Sequence, residues 1–146
     1  MLLGFPPMRV IKLFGVALAA AACAGLVVGA LGRLLMRLAT LASGHDGEFS
    51  WSGSLFIILL YAVATLPAAL AAAVTIRRWR WLAGAAAALA LCLPAGSVAA
   101  VELGYSDGWT TAQWVGVAAS TVAVFATIFA APVVATRLVD RVLGRA

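Results

Sequence analysis

Four apolar runs dominate the chain, with short polar intervals between them. The first extends from Ile11 to about Leu31, the second from Ser54 to Ile76, the third from Trp81 to Val101, and the fourth from about Trp114 to Val134. A hydrocarbon core of about 30 Å takes roughly 20 helical residues to cross, and each run is that long. Helix is the expected state, because an open sheet leaves backbone N–H and C=O groups unsatisfied in lipid. With flanking residues, the pattern predicts helices over about 9–42, 54–76, 81–102 and 110–136, in a single transmembrane domain covering 1–146. The predicted fold class is all-α, an integral membrane four-transmembrane-helix bundle. The basic start and apolar run ending at Cys23 also fit a lipoprotein-like leader, but the run continues to Leu31. That exceeds a usual leader core of about 7–15 residues, so a retained helix is expected.

Composition agrees with this reading. Hydrophobic residues make up 65% of the 146 and charged residues 10%, with a mean hydropathy of +1.11; soluble domains carry about 25% charged residues. The net charge of +5 does not point to nucleic acid, because the basic residues are split among short segments between spans and form no single face. They report topology instead. Arg9, Lys12, Arg77, Arg78, Arg80, Arg137, Arg141 and Arg145 all fall on one side of the four spans. By the positive-inside rule that side is cytoplasmic. The bundle is therefore expected to run up-down-up-down with both termini cytoplasmic, in the cell (plasma or inner) membrane. "RRWR" is read as a tight cytoplasmic turn flanked by interfacial Trp79 and Trp81.

Arg33 and Arg37 are the two basic residues on the outer side, where Asp46, Glu48, Glu102 and Asp107 also fall. Arg33 lies 24 residues after Arg9, about 36 Å along a helix, which places it at the outer headgroup layer. The two arginines continue the spacing of Gly25 and Gly29, a small-xxx-small pattern that lets helix backbones approach closely. Two guanidinium groups on one stripe suit a phosphate or carboxylate. The bland alternative is that they pair with outer acids or reach lipid phosphates.

Two outer connections hold the remaining polar chemistry. In "SGHDGEFSWSGS", His45, Asp46 and Glu48 are weak acid–base candidates, as is Glu102. In "ELGYSDGWTTAQW", Glu102, Tyr105, Asp107, Trp109 and Gln113 join Arg33 and Arg37 as candidate ligand-binding residues, and Glu102 or Asp107 is the natural ion-pair partner for an arginine. Pro67 and Pro94 can bend their spans and open a pocket near Tyr61, Thr65 and Ser97. Cys23 and Cys92 read as small buried hydrophobes. The alanine-rich third span is expected to pack closely inside the bundle and not to face lipid.

No metal spacing and no cofactor motif is present, and no ionisable residue sits at mid-span as a proton-coupled carrier would need. A potassium-type selectivity filter is absent as well. Three classes remain. The first is a protein that binds or transports an anionic or amphipathic small molecule at the extracytoplasmic face. The second is an auxiliary subunit of a larger membrane complex. The third is a small membrane enzyme acting on a lipophilic substrate through the outer His/Asp/Glu cluster. Membrane lipids, and a homo-oligomer or a membrane protein partner, are the expected associations.

Overall fold

A computed structural model describes residues 7–44, 50–74, 77–104 and 106–145, without the side chains of residues 7, 77 and 102. It is helical, with α1 (Pro7–Ala42), α2 (Trp51–Val74), α3 (Arg77–Leu103) and α4 (Thr111–Val142). All four are long and apolar enough to cross a membrane. Leu26, Phe56, Leu89 and Phe129 are among the large apolar side chains that face outward. A surface of this kind suits lipid and not water. The chain is a multi-pass membrane protein built as a four-helix bundle.

The helix ends depart from the sequence pattern for local reasons. α2 begins three residues early because Ser50 caps it: the Gly53 amide donates to Ser50 Oγ at 3.2 Å. α3 begins at Arg77, so "RRWR" is its first turn and not the connection. Arginine is a good helix former, and its charge says nothing about backbone conformation. α4 runs six residues past the expected 136. It stops in a Schellman motif, in which the Arg145 amide donates to Asp140 O at 2.8 Å and the Gly144 amide to Arg141 O at 3.2 Å. Gly144 supplies the positive φ of 65° that this ending requires. The Arg145 side chain then donates to Ala72 O and Ala73 O, at 3.0 and 3.1 Å, in the last turn of α2.

Two clusters make the core. One is almost all alanine, with Ala17, Ala20, Ala21 and Ala24 of α1 meeting Ala69, Ala72 and Ala73 of α2, and Ala135 and Val139 of α4. The other holds larger side chains and admits α3 through Ala88, Leu91 and Ala95, beside Val28, Tyr61, Val124 and Ile128. Gly25 and Gly29 sit on the α1–α2 contact. A Cβ added at Gly25 would lie 2.5 Å from Ala62 Cβ, and one at Gly29 3.0 Å from Ile58 Cα. The glycine pair therefore serves packing within one chain.

The expectation for the alanine-rich span fails: α3 is the least buried of the four helices. α1 packs closely against both α2 and α4, while α3 packs less closely on α2 and α4 and barely reaches α1. One row of α3 is then inside, and Ala85, Ala86 and Ala90 face out. Cys23 is exposed too, contrary to the buried reading, and Cys92 is half-buried. Ala21 and Ala24 take the inward row of that turn, and Cys23 falls on the opposite side.

Candidate functional sites at two ends of the bundle

Arg33, a sequence-predicted residue, stands at a cavity. It lines one of 230 Å³ together with Gly53, Phe56, Tyr61, Leu91 and Pro94, and an adjoining one of 130 Å³ together with Met36, Thr40, Ile57 and Thr121. Its Nε donates to Ser54 Oγ at 3.3 Å. That hydroxyl has its own proton on Ser50 O at 2.9 Å, so it can act only as acceptor toward the guanidinium. The bond fixes the stem of the side chain and leaves the terminal nitrogens for other partners. Gly53 lies beside them: a Cβ added there would be in ordinary contact, 4.0 Å from Arg33 Nη2. Among the described residues no carboxylate pairs with Arg33.

Tyr61 and Thr127 close the deep side of this region. Their hydroxyls are 2.9 Å apart and buried. Thr127 places its proton on Val124 O at 2.7 Å, so the Tyr61 hydroxyl is the donor of the pair. Gly32 makes room for both, since a Cβ there would lie 3.0 Å from Tyr61 Oη and 3.2 Å from Thr127 Oγ1. Pro94 lines the cavity, whereas Pro67 is exposed and lines neither cavity. Ser97 is exposed and donates to Pro94 O.

The other sequence-predicted residues scatter. Arg37 is exposed and lines neither cavity. Asp107 is exposed. Trp109 packs edge-on to Trp114, with ring centroids 5.2 Å apart. Gln113 has both ends of its amide engaged in structure. Its Oε1 accepts from the Thr110 amide at 2.9 Å to complete a capping box at the start of α4, and its Nε2 donates to Ser43 O at 3.2 Å at the end of α1. His45, Asp46, Glu48 and Tyr105, and the side chain of Glu102, lie outside the described residues.

A larger cavity of 640 Å³ opens between α3 and α4 at the other end of the bundle, lined by Arg80, Trp81, Gly84, Ala85, Ala88, Phe129, Pro132, Val133 and Thr136. At its polar end Arg80 Nη2 pairs with Asp140 Oδ2, the ion pair found among the described residues. Both side chains are mostly buried, at 25% and 19% exposure. The second carboxylate oxygen, Asp140 Oδ1, is buried with no hydrogen-bond partner. Sequence reasoning passed over this pair, although Asp140 is the single acid among the basic residues of its side. Among the described residues no three His, Cys, Asp or Glu side chains gather as a metal site would need. No known protein family, no curated protein and no solved structure matches the chain.

Proposed function

We propose that this small multi-pass protein binds or transports an anionic or amphipathic small molecule at the extracytoplasmic face of the cell membrane, with Arg33 as its anion contact. In this reading the spans alternate up and down and both termini are cytoplasmic. Register supports the alternation. Gly25 lies against Ala62, Gly29 against Ile58 and Arg33 against Ser54, so residue numbers rise along α1 as they fall along α2. The Gly32–Thr127 and Gln113–Ser43 contacts relate α1 to α4 in the same way, and Arg80–Asp140 with Gly84–Pro132 does so for α3 and α4. With an even number of alternating spans, the basic termini and "RRWR" share a side, which the positive-inside rule makes cytoplasmic. Arg33 then belongs to the outer leaflet level.

The observation that carries the function is the setting of Arg33: a permanent cation, held by one serine, opening on an apolar cavity. A guanidinium partly removed from water, with no carboxylate paired to it among the described residues, attracts an anion strongly. The apolar walls suit a hydrocarbon tail on the same molecule. Hexyl phosphate is a soluble probe of this chemistry. It should shift the Nε–H NMR signal of Arg33 and raise the thermal midpoint, and inorganic phosphate and hexanol should do neither. Arg33→Gln should weaken hexyl phosphate binding about tenfold or more, the loss of a charged hydrogen bond of about 1.5–3 kcal/mol. A folded Arg33→Gln variant that binds as well as the parent would remove the basis of the proposal.

A further inference from the structure

We infer that the α3–α4 cavity is a seat for one anionic phospholipid, its acyl chain in the apolar trough and its phosphate against Arg80. This stands on the opposite end of the bundle and does not rest on the reading of Arg33. The trough follows α3 from Arg80 to Ala88 and α4 from Phe129 to Thr136, about 12 Å along the helices. Its floor is small: a Cβ added at Gly84 would meet Pro132 Cβ alone, at an ordinary 3.6 Å. Its rims are exposed aromatics, Trp81 and Phe129 at 73% and 58% exposure, so it opens toward the surroundings of the bundle, which across these spans is lipid.

Polarity is graded along the trough as it is along a phospholipid. The lining is apolar except for Arg80 at one end and Thr136, whose hydroxyl proton is already on Val133 O at 3.0 Å. Beyond Arg80 the charge is positive. Arg137 and Arg141 continue the row of Val133 at successive four-residue steps, Arg78 precedes Trp81 by three, and all three are exposed. Asp140 is the one acid there. It binds Nη2 of Arg80 and so orients the guanidinium, leaving Nε and Nη1 for a phosphate. Basic pockets between transmembrane helices are where anionic headgroups bind, and a groove with one charged mouth favours an amphiphile over a second apolar helix.

The test uses the full chain in a neutral detergent. Phosphatidylglycerol should raise the thermal midpoint and remain as one lipid per chain in native mass spectrometry. Phosphatidylcholine with the same acyl chains should bind about tenfold more weakly or worse, and glycerol phosphate, the headgroup without a tail, should not stabilise. Arg80→Gln should reduce phosphatidylglycerol retention about tenfold, the scale of one charged hydrogen bond. Ala85→Leu, an exposed lining position that adds bulk to the trough and keeps a good helix former, should reduce it with folding intact. Arg33→Gln, which removes the other anion contact, should still retain one phosphatidylglycerol per chain. The inference is overturned by equal retention of the two lipids, by full stabilisation with glycerol phosphate, by lipid retention indifferent to Ala85→Leu, by loss of that one lipid in Arg33→Gln, or by a second copy of the chain occupying the trough in place of lipid.

Discussion

Replacing Gly25 with alanine adds one methyl group, and the structure leaves no place for it. The new Cβ would lie 2.5 Å from Ala62 Cβ and 2.6 Å from both Ala62 Cα and Ala62 N. Carbon atoms in good contact are about 3.5–4.0 Å apart, so the overlap is on the order of 1 Å with three atoms at once. Two of those atoms are backbone, and no side-chain rotation can clear them. α1 and α2 must therefore separate by about that amount. A gap of about 0.5–1 Å already forfeits a quarter to a half of each dispersion contact, and the next contact along, Gly29 on Ile58, would open as well. Overpacking of this kind costs about 1–3 kcal/mol. Alanine returns about 1 kcal/mol through its helix propensity. Gly15→Ala isolates that gain, since nothing lies within 4 Å of a Cβ there. Unfolding in mixed micelles by titrated dodecyl sulfate, followed by tryptophan fluorescence, should show Gly15→Ala unchanged or stabilised. Gly25→Ala should fall below it by about 1–3 kcal/mol. Arg33 sits two turns above Gly25, and its Nε–H should exchange faster in Gly25→Ala as the Ser54 bond lengthens. Equal stability of the two variants would refute the close α1–α2 contact. A changed oligomeric state with unchanged monomer stability would move the glycine face to a contact between chains.

Two further outcomes follow from the hydrogen bonds. Tyr61→Phe should cost about 0.6 kcal/mol, the usual value for a hydrogen bond within membrane, whereas Thr127→Val strands the Tyr61 hydroxyl donor and should cost more, about 1–3 kcal/mol; the same denaturant titration checks the order, and the reverse order would show that the donor assignment is wrong. Gln113→Ala should lose about 1 kcal/mol with the capping box. Gln113→Glu should recover the cap alone, because a carboxylate accepts from the Thr110 amide and favours a helix N-terminus but cannot donate to Ser43 O. Hydrogen exchange at the first turn of α4 separates the two variants.

The spans were legible because a run of about 20 apolar residues needs no tertiary information to read as a membrane helix. What lay between them was not. Polarity marks where a chain leaves hydrocarbon, not where its helix stops, so "RRWR" and the stretch from Arg137 to Val142 read as exits although both are helical. Ser50 shows the same limit, since its cap becomes visible only once the Gly53 amide is seen to point at it. Alanine misled in a different way. A thin helix can approach a neighbour closely, but composition does not say whether a neighbour is there. The close contacts went to α1 with α2 and α4, and α3 was left at the margin.

The site divides along the same line. Depth and charge single out Arg33, because each is a property of one position counted along one helix. They single out Arg37 equally, and only the facing helix separates the two: Ser54 makes a place for Arg33, and Arg37 stays on the surface. Gln113 was grouped with them for its polarity, yet both ends of its amide are occupied by Thr110 and Ser43. Asp140 had the opposite fate. The positive-inside rule counts basic residues, so it gives an acid on that side no weight. An acid alone among arginines at the end of an apolar span is better read as a partner awaiting one of them, since a carboxylate leaving water must be compensated. Arg80, 60 residues away in sequence, is that partner. The α3–α4 cavity begins at the pair, and so the one acid that the charge count set aside marks the larger of the two sites.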